Sequence, residues 1–198
     1  MQFKQASEFI IDKLNKELPD HLTYHGIDHT LDVYNAAKNI GEQENITADE
    51  MTILLTAALF HDSGFVVTAK GHEEISCRIA REILPGYDYT GSEIDKICGL
   101  IMATQLPQNP KNHLEKILAD ADLDYLGRDD FFEIGDTLFD ERSFAGSIED
   151  KLTWNQSQLD FMKNHHYFTN TAINLRQLKK VANMDVIKAE LLTKTPIK

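Results

Sequence analysis

The stretch TADEMTILLTAALFHDSG, residues 47–64, sets the terms for the whole chain. Thr47 with Glu50 three positions later is the signature of a reciprocally capped helix start, each side chain accepting from the other's backbone N–H. From residue 51 to 60 every position except Thr52 and Thr56 is apolar. A helix apolar on all sides belongs inside a bundle rather than on its surface, and this one is too short to cross a membrane. It ends on His61 and Asp62. An ionised carboxylate at the end of a buried helix is costly unless it is paired or holds a metal; the plainer alternative is that Asp62 only caps the turn through Ser63 and Gly64.

Helical spacing recurs on both sides of this stretch. Residues 3–18 place Phe3, Ala6, Ile10, Leu14 and Leu18 on one stripe, which Pro19 stops. Residues 27–40 repeat the pattern with Leu31, Tyr34, Ala37 and Ile40, and Gly41 is the expected stop. Downstream, helices are expected over 71–84, 92–104, 111–126, 129–141, 148–165 and 170–192. Alternating strand patterns are absent. The expected fold is therefore all-α: a helical bundle with extra C-terminal helices. We expect a single domain over 1–198, with a chemistry-bearing core at about 20–127 and a helical extension over 128–198.

Composition narrows the function. With 198 residues, 42% hydrophobic and 26% charged, the chain can build a sizeable core. Its formal net charge of −12 repels phosphate backbones. That argues against nucleic acid as a partner, and it requires a local cation wherever a phosphorylated ligand binds. The opening MQFKQASEFIIDKL has no basic start followed by an apolar run, so a cytoplasmic protein without membrane attachment is expected. Oligomeric state is not legible. Cys77 and Cys98 each fall in an amphipathic helical segment and are expected to be small half-buried side chains in a reducing compartment. A disulfide framework or thiolate metal site would need more cysteines at tighter spacing.

Two further groups of polar residues stand out. Asp120, Asp122 and Asp124 follow the apolar run Ile117-Leu118-Ala119. On a helix alternate residues point about 200° apart, so Asp120 and Asp124 share a face while Asp122 points elsewhere. All three also fit solvated acids at a helix end. His25 and His29, in Tyr24-His25-Gly26-Ile27-Asp28-His29, share a face if the helix begins early enough. Phosphate-binding glycine loops and the serine-hydrolase elbow are missing. His21, His113 and the helical pair His165-His166 are expected to be packing or surface residues. Trp154, Phe161 and Phe168 are expected to form a core stripe.

Taken in order, YHxxxH, the His61-Asp62 doublet and the Asp120-Ala121-Asp122 run resemble the HD superfamily of metal-dependent phosphohydrolases, over about residues 20–127. The resemblance implies a bundle whose metal ligands converge from separate helices: His29, His61, Asp62 and Asp122, with Asp120 in reserve. For His25 it implies the role a histidine plays in the cyclic-nucleotide phosphodiesterase branch, protonating the leaving group, with a carboxylate such as Asp28 holding it charged. Lys70-Gly71-His72-Glu73-Glu74 resembles a segment that supplies a second-metal or substrate contact, so Lys70, His72 and Glu73 are candidates for either. Leu123 stands where the family usually has an arginine, and the phosphate contact of that arginine is missing here.

Two imidazoles and two carboxylates suit a divalent Mn, Fe, Co, Ni or Zn ion, with Mg also open. The implied reaction is hydrolysis of a phosphomonoester or phosphodiester, in a small phosphorylated substrate such as a nucleotide, by a metal-activated water. One alternative is a di-iron HD-like oxygenase. That class needs several more histidines, and His72 is the one strong extra candidate. Another is a non-catalytic module that binds nucleotide or metal; a lost ligand would mark it, and none is visibly lost. Arg78, Arg81, Arg128, Arg142 and Arg176 are candidate phosphate contacts that the sequence does not rank.

Overall fold

The reciprocal cap expected before the apolar helix is present. Thr47 Oγ1 accepts from the Glu50 N–H at 3.2 Å, and Glu50 Oε2 accepts from the Thr47 N–H at 2.8 Å. The computed structural model describes residues 1–194, with nine α-helices and no strand among the described residues. They fall into two compact units, Met1–Leu123 and Asp124–Lys198.

The first unit holds α1 (Phe3–Glu17), α2 (Ile27–Gln43), α3 (Ala48–Phe60), α4 (His72–Ile83), α5 (Gly91–Thr104) and α6 (His113–Asp122). Every residue of α3 from Ile53 to Phe60 is buried, as an all-apolar helix demands. It packs against α1, α2, α4, α5 and α6. Ile10 and Leu14 of α1, Ile40 of α2, Ile97 and Ile101 of α5, and Ile117 and Leu118 of α6 are fully buried. Burying each such side chain is worth about 1.5–3 kcal/mol.

Helix boundaries shift from expectation, and three of the shifts in this unit have visible causes. Gly41 does not stop α2, which runs on to Gln43. Gly41 is there for packing: a Cβ would lie 3.0 Å from both Ile46 Cδ1 and Met51 Cε. α5 starts on a second capping box, Thr90 with Glu93, at a spacing identical to the first. α6 ends at Asp122 rather than near 126: Leu123 leaves helical geometry, and Asp124–Gly127 form a 3₁₀ turn. The three aspartates at alternate positions therefore do not share one helix.

The second unit follows that turn with α7 (Phe131–Phe144), α8 (Lys151–Asn164) and α9 (Asn170–Lys194). Asn183 donates to the carbonyls of Leu126 at 3.1 Å and Arg128 at 3.0 Å, and Arg176 Nε donates to Asp124 Oδ1 at 2.7 Å. Gly127 leaves room for α9, since a Cβ there would collide with the backbone of Arg176. α8 ends at Asn164, so His165 is its extended C-cap rather than a helical residue, and Phe168 lies beyond the helix. Of the expected sevenfold stripe only Trp154 is buried, together with Leu159, Met162 and Tyr167, while Phe161 and Phe168 are partly exposed. Among the described residues no helix is long and apolar enough to cross a membrane.

Candidate metal centre

α3 carries His61 into the interior of the first unit, where it is 1% exposed. Its Nδ1 lies 2.8 Å from the Ala58 carbonyl one turn back. A carbonyl can only accept, so Nδ1 carries a hydrogen, and in the neutral ring, the form that binds a metal, Nε2 turns its lone pair inward. α2 supplies His29 in its first turn, and α6 supplies Asp122 as its last residue. Asp62 follows His61 as the chain leaves helical geometry, at φ −102° and ψ 7°.

These side chains meet. His61 Nε2 lies 3.2 Å from Asp62 Oδ2, 3.4 Å from Asp122 Oδ1 and 3.4 Å from His29 Nε2. His29 Nε2 lies 3.4 Å from Asp62 Oδ2 and 3.3 Å from Asp122 Oδ1. Ligands about 2.0–2.2 Å from a shared ion stand roughly 3–3.5 Å from one another, so the spacing fits one ion among them. His29, His61 and Asp122 are the cluster, among the described residues, compact enough to hold a metal. Asp62 reaches both imidazoles with Oδ2 and turns Oδ1 outward to His72 Nε2 at 3.1 Å. Asp120, the reserve, is fully buried in α6 but outside the cluster.

The two carboxylates at the centre are held ionised by the imidazoles that face them. Burial would raise the carboxyls of Asp62 and Asp122, yet the imidazoles outweigh it. His61 and His72 hold Asp62 well below the usual carboxylate range, and His29 and His61 draw Asp122 down to about 2. Burial opposes a charge on His61, but Asp62 and Asp122 push its pKa well above the ordinary imidazole value.

His72 and Glu73 open α4. His72 Nδ1 donates to the Ala69 carbonyl at 3.0 Å, which turns Nε2 toward Asp62 and, at 3.7 Å, toward Glu73 Oε1. Burial opposes charge on His72, and Asp62 overrides it and raises the pKa. Lys70 is exposed in the preceding loop. Gly71 takes the left-handed conformation, φ +70°, that lets the chain enter α4.

His25 lies before α2, not on it, so a shared helical face does not explain its position. Its ring stacks on Phe65 with centroids 4.1 Å apart and stands 6.0 Å from the His29 ring. His72 packs on Phe65 too, at 4.2 Å. Phe65 thus separates the two outer histidines, and nothing in the sequence singled it out, because the stacking joins α4 and two loops. Asp28, the carboxylate expected to face His25, is exposed. The candidate arginines are occupied elsewhere: Arg81 pairs with Asp95 at 2.7 Å, Arg128 with Asp130 at 2.7 Å and Arg176 with Asp124. Arg142 lies 5.9 Å from the centre of the Trp154 ring. Arg78 lines a groove between α4 and α5. His113 pairs with Glu44 at 3.4 Å, as expected of a helix-start residue.

A family model of the HD domain matches residues 26–124, which include all four residues around the centre. The chain belongs to the HD domain family. HD domains bind divalent metals, and the His29, His61 and Asp122 cluster could hold one. Three solved structures share the fold. One is a predicted HD superfamily hydrolase from an uncultured Thermotogales bacterium, 20% identical, with a TM-score of 0.63 over 95% of this chain and 92% of that one. Another is Bacillus subtilis YpgQ in complex with ADP, 20% identical, with a TM-score of 0.69 over 99% of this chain and 98% of that one. The third, from Lactobacillus plantarum, is 17% identical, with a TM-score of 0.68 over 98% of this chain and 100% of that one. No curated protein matches this chain. His61 and Asp62 follow directly on α3, whose residues from Ile53 to Phe60 are all buried.

Proposed function

We propose that the chain is a metal-dependent phosphohydrolase that cleaves a phosphate ester of a nucleotide, with His29, His61, Asp62 and Asp122 holding a divalent ion. The observation that carries this is the convergence of two imidazole nitrogens and two carboxylate oxygens, from α2, the end of α3 with the residue after it, and α6, at 3.2–3.4 Å among largely buried side chains. When bound, the ion lowers the pKa of a water and polarises a phosphoryl oxygen. The remaining work falls to the chain itself. Ala58 fixes the tautomer of His61, and the bundle holds both carboxylates ionised. His25, stacked beside Phe65, donates a proton to the leaving ester oxygen, a task that suits an imidazole. The ADP complex of the Bacillus subtilis neighbour supports a nucleotide as the substrate class.

A second reading adds an outer ion held by His72 and Glu73 with Asp62, favoured by the 3.1 Å approach of His72 Nε2 to Asp62 Oδ1. One experiment serves both. The protein is loaded with each of several divalent metals, its metal content measured, and nucleotides screened for release of phosphate and nucleoside. The first reading expects one ion per chain, with ion and activity lost together in Asp62→Ala. Two ions, one of them lost in His72→Ala, would establish the second. Full activity in metal-free Asp62→Ala would discard both.

A further inference from the structure

Two thiols meet away from the imidazoles and carboxylates. Cys77 lies on α4 and Cys98 on α5. Cys77 Sγ donates to the Cys98 carbonyl at 3.5 Å and Cys98 Sγ donates to the Cys77 carbonyl at 3.7 Å, so each thiol reaches across to the other cysteine. They are the two cysteines of the entire chain. Both line a groove of about 450 Å³ together with Glu74, Arg78, Arg81 and Asp95. A structural cysteine is ordinarily buried as a small inert hydrophobe. Here each thiol reaches the other cysteine's carbonyl across a pair of helices, and both residues line an open groove with a guanidinium alongside. Two sulfurs are also too few for a thiolate metal centre.

We propose that Cys77 and Cys98 form an oxidisable dithiol, which a hydroperoxide converts into an intrachain disulfide tying α4 to α5. This is independent of the phosphohydrolase reading. Cys98 is the attacking thiol: it shares the groove with Arg81, and its neighbour Cys77, then the charge of Arg81, draw it down to about 7, while Cys98 pushes Cys77 up. The Cys98 thiolate attacks the outer oxygen of the hydroperoxide. The O–O bond breaks, the alcohol or water leaves with the thiol proton, and Cys98 becomes a sulfenic acid. The Cys77 sulfur then attacks the Cys98 sulfur. The S–S bond forms, the S–O bond breaks, and water leaves with the Cys77 proton. The two sulfurs are oxidised together and the peroxide is reduced; a small thiol reductant reverses the change. The tie falls on the helix whose first turn carries His72 and Glu73.

The test uses the full wild-type chain, reduced, desalted and treated with hydrogen peroxide, then unfolded with iodoacetamide and weighed without reductant. The expected product is a monomer lighter by two hydrogens, carrying no alkyl group, with one cross-linked peptide pair containing Cys77 and Cys98. Dithiothreitol should restore two alkylatable thiols. Two alkylated cysteines after peroxide, added oxygen without a cross-link, or a disulfide between chains would each overturn the proposal. Because the wild-type measurement needs no variant to fold, the roles can be assigned separately. In Cys77→Ser, dimedone should trap a sulfenic acid on Cys98. Stronger trapping on Cys77 in Cys98→Ser would reverse the assignment of the attacker.

Discussion

One proton on His61 settles what the centre can bind. Because Nδ1 donates to Ala58, Nε2 is the nitrogen that faces His29, Asp62 and Asp122, and the one that a metal would take from the neutral ring. His25 is placed by different means. It stacks on Phe65 and stands 6.0 Å from the His29 ring, close to the centre without joining it. Its removal should therefore separate chemistry from metal binding. In His25→Ala we expect bound metal to stay at the wild-type level while turnover on the best nucleotide falls by on the order of 10²–10⁴. Near-normal turnover in the metal-loaded variant would discard the proton-donor role. Sequence pointed to His25 because it lies four residues before His29. The physical reason for its position is its stacking on Phe65, a contact that no local pattern encodes.

The elements fix how these residues approach one another. The 3₁₀ turn after the doublet, Ser63–Val66, touches the start of α4 backbone to backbone. The Gly64 N–H donates to Ser76 Oγ at 2.8 Å, and a Cβ on Gly64 would run into the backbone carbonyl of His72. Gly64→Ala should thus force the two elements apart at a cost of about 1–3 kcal/mol, read as a lower urea midpoint. Gly86, with open space where its Cβ would go, is the control: Gly86→Ala should stay within about 0.5 kcal/mol of wild type. Equal stability of the two variants would remove the clamp. Local signals gave the start of α3, because Thr47 and Glu50 cap each other within four residues. The end of α6 was hidden, since no glycine or proline marks Leu123 and the 3₁₀ turn after it is held by Arg176 and Asn183 from α9. The meeting of Cys77 with Cys98 was hidden too, because it depends on how α4 packs on α5.

Across the whole molecule, acidic residues outnumber basic ones by 32 to 20, yet the second unit buries a lysine. Lys180 on α9 is 2% exposed. Its Nζ donates to the His165 carbonyl at 2.6 Å, lies 2.9 Å from His165 Nδ1, and sits 5.5 Å from the centre of the Tyr167 ring. Burial draws its pKa from 10.5 to about 8. The consequence for stability follows from proton counting. Below pH 8 both folded and unfolded chains hold the proton, and the folded state bears the full cost of a desolvated charge. Between pH 8 and 10.5 the unfolded chain binds more protons than the folded one, so this residue's contribution to stability rises with pH. Above 10.5 it changes no further. Lys180→Met keeps much of the volume and removes the titration. Urea midpoints of wild type and variant, measured in steps from about pH 7.5 to 10, should differ by an amount that moves in favour of wild type as pH rises. Taking the difference cancels every other group that titrates in this range. A difference that stayed constant with pH would mean that the amine titrates alike in both states, and that burial costs the folded chain nothing at this position.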